Sequence, residues 1–420
     1  MNYNIPLMSD NITRNDVDEL VKFLQQDPIP RLTNGPKVEE FEKKWSEWLG
    51  VKHSVFVNSG SSANYTTMQL LYYKYGCCEV IVPPLTWVSD VASIINTGHQ
   101  PVFVDINLTN LSFDIDKLRQ LISPRTKAIF LTHVLGLNGL TDELLQICKE
   151  NDLFLIEDVC ESHGATFKNK KAGSIGDVSN FSFYFAHHMS TIEGGMVCTN
   201  SDEFYDILRC SRSHGMVREC KSEELKEQTK LDHPDLNPDF IFLAPAYNFR
   251  STELNAVLGL SQLKSLDKNN QQRRENFEYF LSNLDCNKYI TTLDTNGQSN
   301  YAFIVIMNDP DIDQRNKIES MLKDNNIEFR RGLSGGGNQL RQPYIKEYSH
   351  KMGFLYKPPY NVRLSKGKIG QSLELVITDE MLQYHFANVE HVHNYSWYIG
   401  NYPSLEKEKI TNLITLLNNV

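Results

Sequence analysis

The sequence has none of the closely spaced cysteine pairs that build metal knots or disulfide frameworks. Its eight cysteines include no Cys-x-x-Cys; Cys77 and Cys78 are adjacent and the others stand singly. A zinc site is therefore not expected, and reduced thiols are the better reading. No apolar run approaches the ~20 residues that cross a bilayer. The opening MNYNIPLMSDNITRND has no basic stretch followed by an apolar core, so a cytoplasmic protein without a secretory signal or membrane association is expected. Positive charge is also in deficit: 42 Lys and Arg face 52 Asp and Glu, a formal net charge of −10. That argues against nucleic acid as the main partner. It leaves phosphate open, because a few backbone amides can hold one. Internal repeats and low-complexity tracts are absent too.

What is present suits a globular protein: 40% hydrophobic and 22% charged residues over 420 positions, enough for two domains. After Gly35-Pro36, Val38, Phe41, Trp45, Trp48 and Leu49 recur at helical spacing. Short β-rich runs follow at 54–57, 80–82, 101–104, 128–131 and 153–156, with helical patterns at 63–75, 88–96 and 143–150 between them. Strands buried on both faces and separated by helices imply an α/β fold with a parallel sheet. The polar stretch 219–239 reads as a surface helix followed by a loop, and a helical run covers 252–266. The strongly charged 267–275 marks a composition shift. We therefore expect a large α/β domain over 1–265 and a smaller α+β domain over 266–420. The smaller part holds a strand candidate at 301–307, a helix at 314–325 and a glycine-rich turn at 332–337.

Ligands of open α/β sheets sit at the carboxyl ends of the strands. After the run 54–57 comes Asn58-Ser59-Gly60-Ser61-Ser62-Ala63, a possible phosphate cradle at a helix N-terminus or an ordinary serine-capped turn. After 153–156 comes Glu157-Asp158-Val159-Cys160-Glu161-Ser162-His163. Two carboxylates ending a buried strand each need a partner, which could be a protonated ring nitrogen, a salt bridge or a helix cap. Trp87, after 80–82, could stack on a flat ring or pack in the core. From Ser182 the chain alternates like a strand through Phe183, Tyr184 and Phe185. It then breaks at His187-His188 before the turn Glu193-Gly194-Gly195.

Together these motifs, with Asn34-Gly35-Pro36 near the start and Tyr247-Asn248-Phe249-Arg250-Ser251-Thr252-Glu253 further on, resemble the DegT/DnrJ/EryC1 sugar aminotransferases. The resemblance covers nearly the whole chain. It implies a fold type I pyridoxal-phosphate-dependent transferase fold, with a mainly parallel seven-stranded sheet between helices. Carried over by position, it makes Asp158 the partner of the ring nitrogen and Trp87 the stacking residue. Ser61, Ser62 and Ser182 become phosphate ligands, and Asn248 reaches the phosphate from a second subunit, which implies a homodimer with composite sites. At Glu161 many of these aminotransferases have glutamine, so that contact to the ring's phenolic oxygen is altered here.

The aminotransferases hold their cofactor covalently on a lysine six positions before the Glu-Gly-Gly turn. Six positions before Glu193 stands His187, which cannot make that bond. The substitution resembles a branch of the family, the 3-dehydratases of nucleotide-linked 4-keto-6-deoxyhexoses. It implies non-covalent pyridoxal or pyridoxamine phosphate, glutamate as amino donor, loss of the C3 hydroxyl with His187 carrying the proton, and release of ammonia. A related branch uses an iron–sulfur cluster and a reductase. Here 218–245 holds only Cys220, so neither is expected. His214, Arg218 and Arg330 match the cluster-free branch as binding residues for the nucleotide sugar or glutamate, or are surface charge. An aminotransferase that tolerates histidine, and a cofactor-binding regulator without turnover, are the alternatives. His188 and His163 read as structural.

Overall fold

Apolar runs too short for helices, set between amphipathic helices, leave the chain one economical arrangement: a sheet covered on both faces. The computed structural model describes residues 3–9, 12–345 and 378–420. Its main sheet contains β1 (His53–Val57), β2 (Glu79–Val82), β3 (Gln100–Phe103), β4 (Thr126–Thr132) and β5 (Phe154–Asp158). After a small hairpin of β6 (Thr166–Phe167) and β7 (Lys170–Lys171), it is completed by β8 (Val178–Ser182) and β9 (Gly195–Thr199). The order is β1-β9-β8-β5-β4-β2-β3. The run from β8 to β3 is parallel, and β9 lies antiparallel to both its neighbours. This is the seven-stranded, mostly parallel sheet that the resemblance implies.

The first helices are α1 (Arg14–Leu24), α2 (Pro36–Leu49), α3 (Gly60–Tyr75), α4 (Val88–Asn96), α5 (Ile115–Leu121) and α6 (Asp142–Glu150). They are followed by α7 (Asp202–Arg212), α8 (Glu223–Asp232), α9 (Glu253–Leu263), α10 (Leu266–Asn283) and α11 (Ile312–Asp324). Helix α2 shows how sequence becomes position. Pro36 begins it and a left-handed Gly50 ends it, as the missing proline N–H and the glycine's freedom favour. Its buried stripe of Val38, Phe41, Trp45 and Leu49 packs against the end of β8. The Trp45 ring lies 5.0 Å from Phe181 and 4.8 Å from Phe183. Truncating so large a core side chain costs about 3–5 kcal/mol, so this cluster firmly anchors the segment that leads to His187.

Pattern alone places five of the seven strands. Strand β8, Val-Ser-Asn-Phe-Ser, escapes it because polar residues are buried there by pairing. Asn180 Oδ1 accepts from Thr67 Oγ1 at 2.7 Å and Ser179 Oγ donates to Gly173 O at 2.6 Å. The alternation after Ser182 is not strand either, because β8 stops at that residue. Phe183 is buried while both Tyr184 and Phe185 are exposed, and the chain turns, with His187 N donating to Tyr184 O at 3.0 Å.

A second, antiparallel sheet contains β10 (Ala302–Ile306), β11 (Phe329–Arg331) and β12 (Ser396–Gly400), in the order β10-β12-β11. The N-terminal segment joins it: Ile5 bridges to Ile327, and Leu7 N donates to Glu328 Oε2 at 3.0 Å. The glycine-rich turn docks on the loop after β2, where Gln339 N donates to Pro84 O at 2.9 Å. Gly335 has φ +59, and an added Cβ would meet Thr86 O at 2.1 Å, so only glycine fits there.

Candidate active site

The carboxyl ends of β1, β5 and β8, the loop after β2 and the glycine-rich turn surround one cavity of about 370 Å³. Its place is the one the general rule for α/β sheets gives. Ser61, Trp87, Asp158, Glu161, Ser182 and His187 all line it.

The two carboxylates ending β5 point to opposite faces, as strand geometry requires, and meet different fates. Glu157 accepts from Gly173 N at 2.8 Å, Ile175 N at 3.0 Å and Gly176 N at 2.6 Å, and lies 3.2 Å from His133 Nε2. Burial disfavours its charged form, but these partners outweigh it and hold the carboxyl below the usual range. Asp158 faces the cavity, buried, with Oδ1 accepting from Cys160 N at 2.8 Å. It forms no ion pair among the described residues. A buried carboxylate without a cation suits a protonated ring nitrogen.

Helix α3 presents its N-terminus to the same space. Ser59 caps it by accepting from Ser62 N at 3.1 Å. Gly60 sits so close to β8 that an added Cβ would lie 2.7 Å from Ser182 Cβ. The result is a tight cradle of helix amides flanked by Ser61 and Ser182, suited to a phosphate. Ser62 lies outside the described cavity lining, its hydroxyl donating to Asn58 Oδ1 at 2.6 Å. As the third residue of the helix it closes the cap, which leaves Ser61 facing the opening.

His187 closes the wall opposite. Its Nδ1 lies 3.2 Å from Ser182 O. A carbonyl only accepts, so Nδ1 carries the hydrogen and Nε2 is the basic nitrogen. Desolvation pushes the imidazole down to about 4, against smaller upward pulls from the Ser182 carbonyl and Asp158, so the ring is neutral at pH 7. Tyr301 stands beside it, ring centroids 5.9 Å apart. Trp87 is 52% exposed at the rim, placed to cover a flat ring rather than to fill the core. Glu161 accepts from Leu135 N at 3.0 Å and Ser334 Oγ at 2.8 Å. Burial outweighs those bonds and pushes its carboxyl up to about 7.

The remaining expected residues lie outside this chain's own cavity. Asn248 and His214 are exposed on adjoining segments joined by the Ser213–Asn248 bridge. His214 adopts a left-handed φ of 61°. Arg218 is exposed, 5.4 Å over the Phe240 ring, and Arg330 is exposed on β11, paired with Glu328 at 3.0 Å. Residues that pattern reasoning missed also line the cavity: Thr132, Tyr301, Ser334, Gly335 and Tyr398. Only Ser334 and Gly335 carried a signal, as part of the glycine-rich turn.

A pyridoxal phosphate fits this donor set: a carboxylate for the ring nitrogen, an amide cradle with hydroxyls for the phosphate, an indole for the face. No lysine is among the described residues lining the cavity. Residues 10–351 match the model of the DegT/DnrJ/EryC1/StrS aminotransferase family. The chain belongs to this family. It is 34% identical over 325 residues, 75% of this chain and 82% of the relative, to the GDP-4-keto-6-deoxy-D-mannose 3-dehydratase of Escherichia coli O55:H7. A solved structure of the E. coli GDP-4-keto-6-deoxy-D-mannose-3-dehydratase with bound hydrated pyridoxal phosphate superposes with a TM-score of 0.81 at 28% identity, covering 99% of this chain and 100% of the other. A GDP-4-keto-6-deoxymannose-3-dehydratase holding a trapped pyridoxal phosphate–glutamate geminal diamine matches with the same score, identity and coverage.

Proposed function

We propose that the chain is a pyridoxal/pyridoxamine-phosphate-dependent 3-dehydratase of a nucleotide-linked 4-keto-6-deoxyhexose such as GDP-4-keto-6-deoxymannose. It would use glutamate as amino donor and release ammonia, in the making of a 3,6-dideoxy or related sugar for a surface polysaccharide. The observation that carries this is a neutral imidazole, His187, in a cavity whose described lining has no lysine. An imidazole can carry a proton but cannot form the covalent bond that a lysine would.

When bound in its amine form, the cofactor supplies an electron sink that makes loss of the C3 hydroxyl possible. Asp158 would hold its ring nitrogen, Trp87 its face, Glu161 its phenolic oxygen, and Ser61, Ser182 and the α3 amides its phosphate. His187 accepts a proton at Nε2, since its depressed basicity keeps the ring unprotonated at neutral pH. Burial disfavours the imidazolium that forms, so it gives the proton up readily to the departing C3 oxygen. The Ser182 carbonyl keeps the ring in one tautomer throughout.

Asn248, His214 and Arg218 are exposed and outside their own cavity, and Tyr247 and Phe242 beside them are exposed aromatics. This supports a homodimer in which one subunit completes the other's site. Arg218 and Arg330 suit the substrate's diphosphate. Only Cys220 falls in 218–245, which supports turnover without a cluster or reductase. No helix among the described residues is long and apolar enough to cross a membrane, and the reading is of a cytoplasmic enzyme. The seven-stranded sheet lies before residue 266 and the three-stranded sheet after it, which supports a cofactor domain over 1–265 and a smaller domain over 266–420.

The test is product analysis. Purified protein, GDP-4-keto-6-deoxymannose, pyridoxal phosphate and glutamate should give a sugar nucleotide lacking one oxygen, with ammonium. An amino sugar as main product would overturn the reading.

A further inference from the structure

Behind Asp158 lies a second carboxyl group that the reaction does not use. Asp90, in the first turn of α4, is 0% exposed. Its Oδ1 lies 2.6 Å from Asn64 Nδ2, and the same nitrogen reaches Asp158 Oδ2 at 3.4 Å and Ser89 Oγ at 3.1 Å. Three acceptors thus converge on an amide that has two hydrogens, while Asn64 Oδ1 has no partner among the described residues. On the other side, Thr86 Oγ1 donates to Asp90 Oδ2 and Thr132 Oγ1 lies 3.2 Å from it. Asp90 has no ion pair among the described residues. Among the described residues, the ionisable groups that face it are Asp158 at the end of β5, Cys160 in the turn after it, and Tyr344. All three are neutral or acidic.

Two buried carboxyl groups side by side, with no cation paired to either among the described residues, disfavour double ionisation near neutral pH. One hydrogen too few around Asn64 is the geometric sign of the same shortage. We propose that Asp90 is a positioning residue for Asp158: it carries one proton beside the Asp158 carboxylate, so that the pair holds a single negative charge and keeps it on the member that lines the cavity. Burial, and then the Asp158 charge, push the Asp90 carboxyl well above its ordinary range. A neutral Asp90 fills the space behind Asp158 with a hydrogen-bonding group and adds no competing charge. The counter-ion for a protonated ring nitrogen is then one carboxylate in a fixed place.

The inference rests on the assignment of Asp158 to the ring nitrogen made above, and the experiment separates the two. A carboxyl whose pKa is raised on folding gives stability that is full below the unfolded value near 4 and lost as pH rises through the folded one. Urea unfolding of the cofactor-free protein and of Asp90→Asn, between pH 5 and 8, reads this directly. The wild type should lose stability relative to Asp90→Asn as pH rises, the ratio of their unfolding constants changing tenfold or more. A ratio independent of pH would overturn the pair. If Asp90→Asn does not fold, Asp158→Asn serves: with the neighbouring charge gone, the pH-dependent loss must shrink, and an unchanged loss overturns the proposal. Cofactor affinity is the second readout. Asp90→Asn should bind pyridoxal phosphate within about threefold of wild type, whereas an ionised Asp90 would make that variant bind at least tenfold more weakly. Unchanged cofactor affinity in Asp158→Asn would overturn the ring-nitrogen assignment while leaving the one-proton pair to the unfolding data.

Discussion

Ser182 meets His187 through its carbonyl oxygen, 3.2 Å from Nδ1, while its own side chain lines the same cavity. One residue at the end of β8 therefore fixes the histidine's tautomer and faces the phosphate cradle. Proton carrier and cofactor site cannot shift independently.

Replacing His187 should separate chemistry from binding. General acid–base catalysis contributes about 10²–10⁴-fold, so His187→Asn should lose dehydration by that order while cofactor affinity stays within a few-fold. Steady-state turnover and a fluorescence titration with pyridoxal phosphate check the two halves. In His187→Lys, borohydride should fix the cofactor to the chain, and dehydration should be lost. Wild-type turnover in either variant would remove His187 from the mechanism.

Asp158→Asn removes the buried charge offered to the ring nitrogen. Hydrogen bonds to charged groups are worth about 1.5–3 kcal/mol, so the cofactor dissociation constant should rise roughly tenfold or more. Titration of the cofactor's absorbance measures it.

Glu161 gives the site a pH dependence of predictable sign. Its carboxyl is pushed up to about 7 from an ordinary 4.5, first by burial. Stability from this group is complete below about 4.5 and is lost as pH rises through about 7, by an amount on the order of 3 kcal/mol. Glu161→Gln should abolish that loss, so its thermal midpoint relative to wild type should climb between pH 5 and 8. His187 works on the acid side, depressed to about 4: its contribution is full above about 6.5 and lost as pH falls through 4.

Gly60→Ala tests the cradle. The new methyl would sit 2.7 Å from Ser182 Cβ and 3.1 Å from Cys160 Sγ. Overpacking of this kind costs about 1–3 kcal/mol. The variant should melt lower and bind pyridoxal phosphate at least tenfold more weakly. Unchanged affinity would move the phosphate elsewhere.

Much of this was legible in the sequence, for identifiable reasons. Helix α4 over 88–96 and the stripe of α2 follow from apolar spacing, and Asp158 from its place at the end of an apolar strand. Strand β8 was hidden because Ser179 and Asn180 are buried by hydrogen bonds, which composition cannot register. Ser61 and Ser62 look equivalent in sequence, and only the helix cap sets them apart, Ser61 lining the cavity and Ser62 bonded to Asn58. Tyr398 comes from β12 of the second sheet and Tyr301 stands just before β10, and nothing local marks them as cavity residues. Asp90 shows no sign of its role until α4 packs on α3, where Asn64 lies between it and Asp158, since its meaning lies in its neighbour.

The most direct measurement is turnover of GDP-4-keto-6-deoxymannose with pyridoxal phosphate and glutamate in D₂O, read by NMR. Elimination predicts a C3 methylene carrying solvent deuterium, a carbonyl at C4 and one ammonium per sugar. A product that keeps its C3 hydroxyl and carries an amine at C4 would contradict the account.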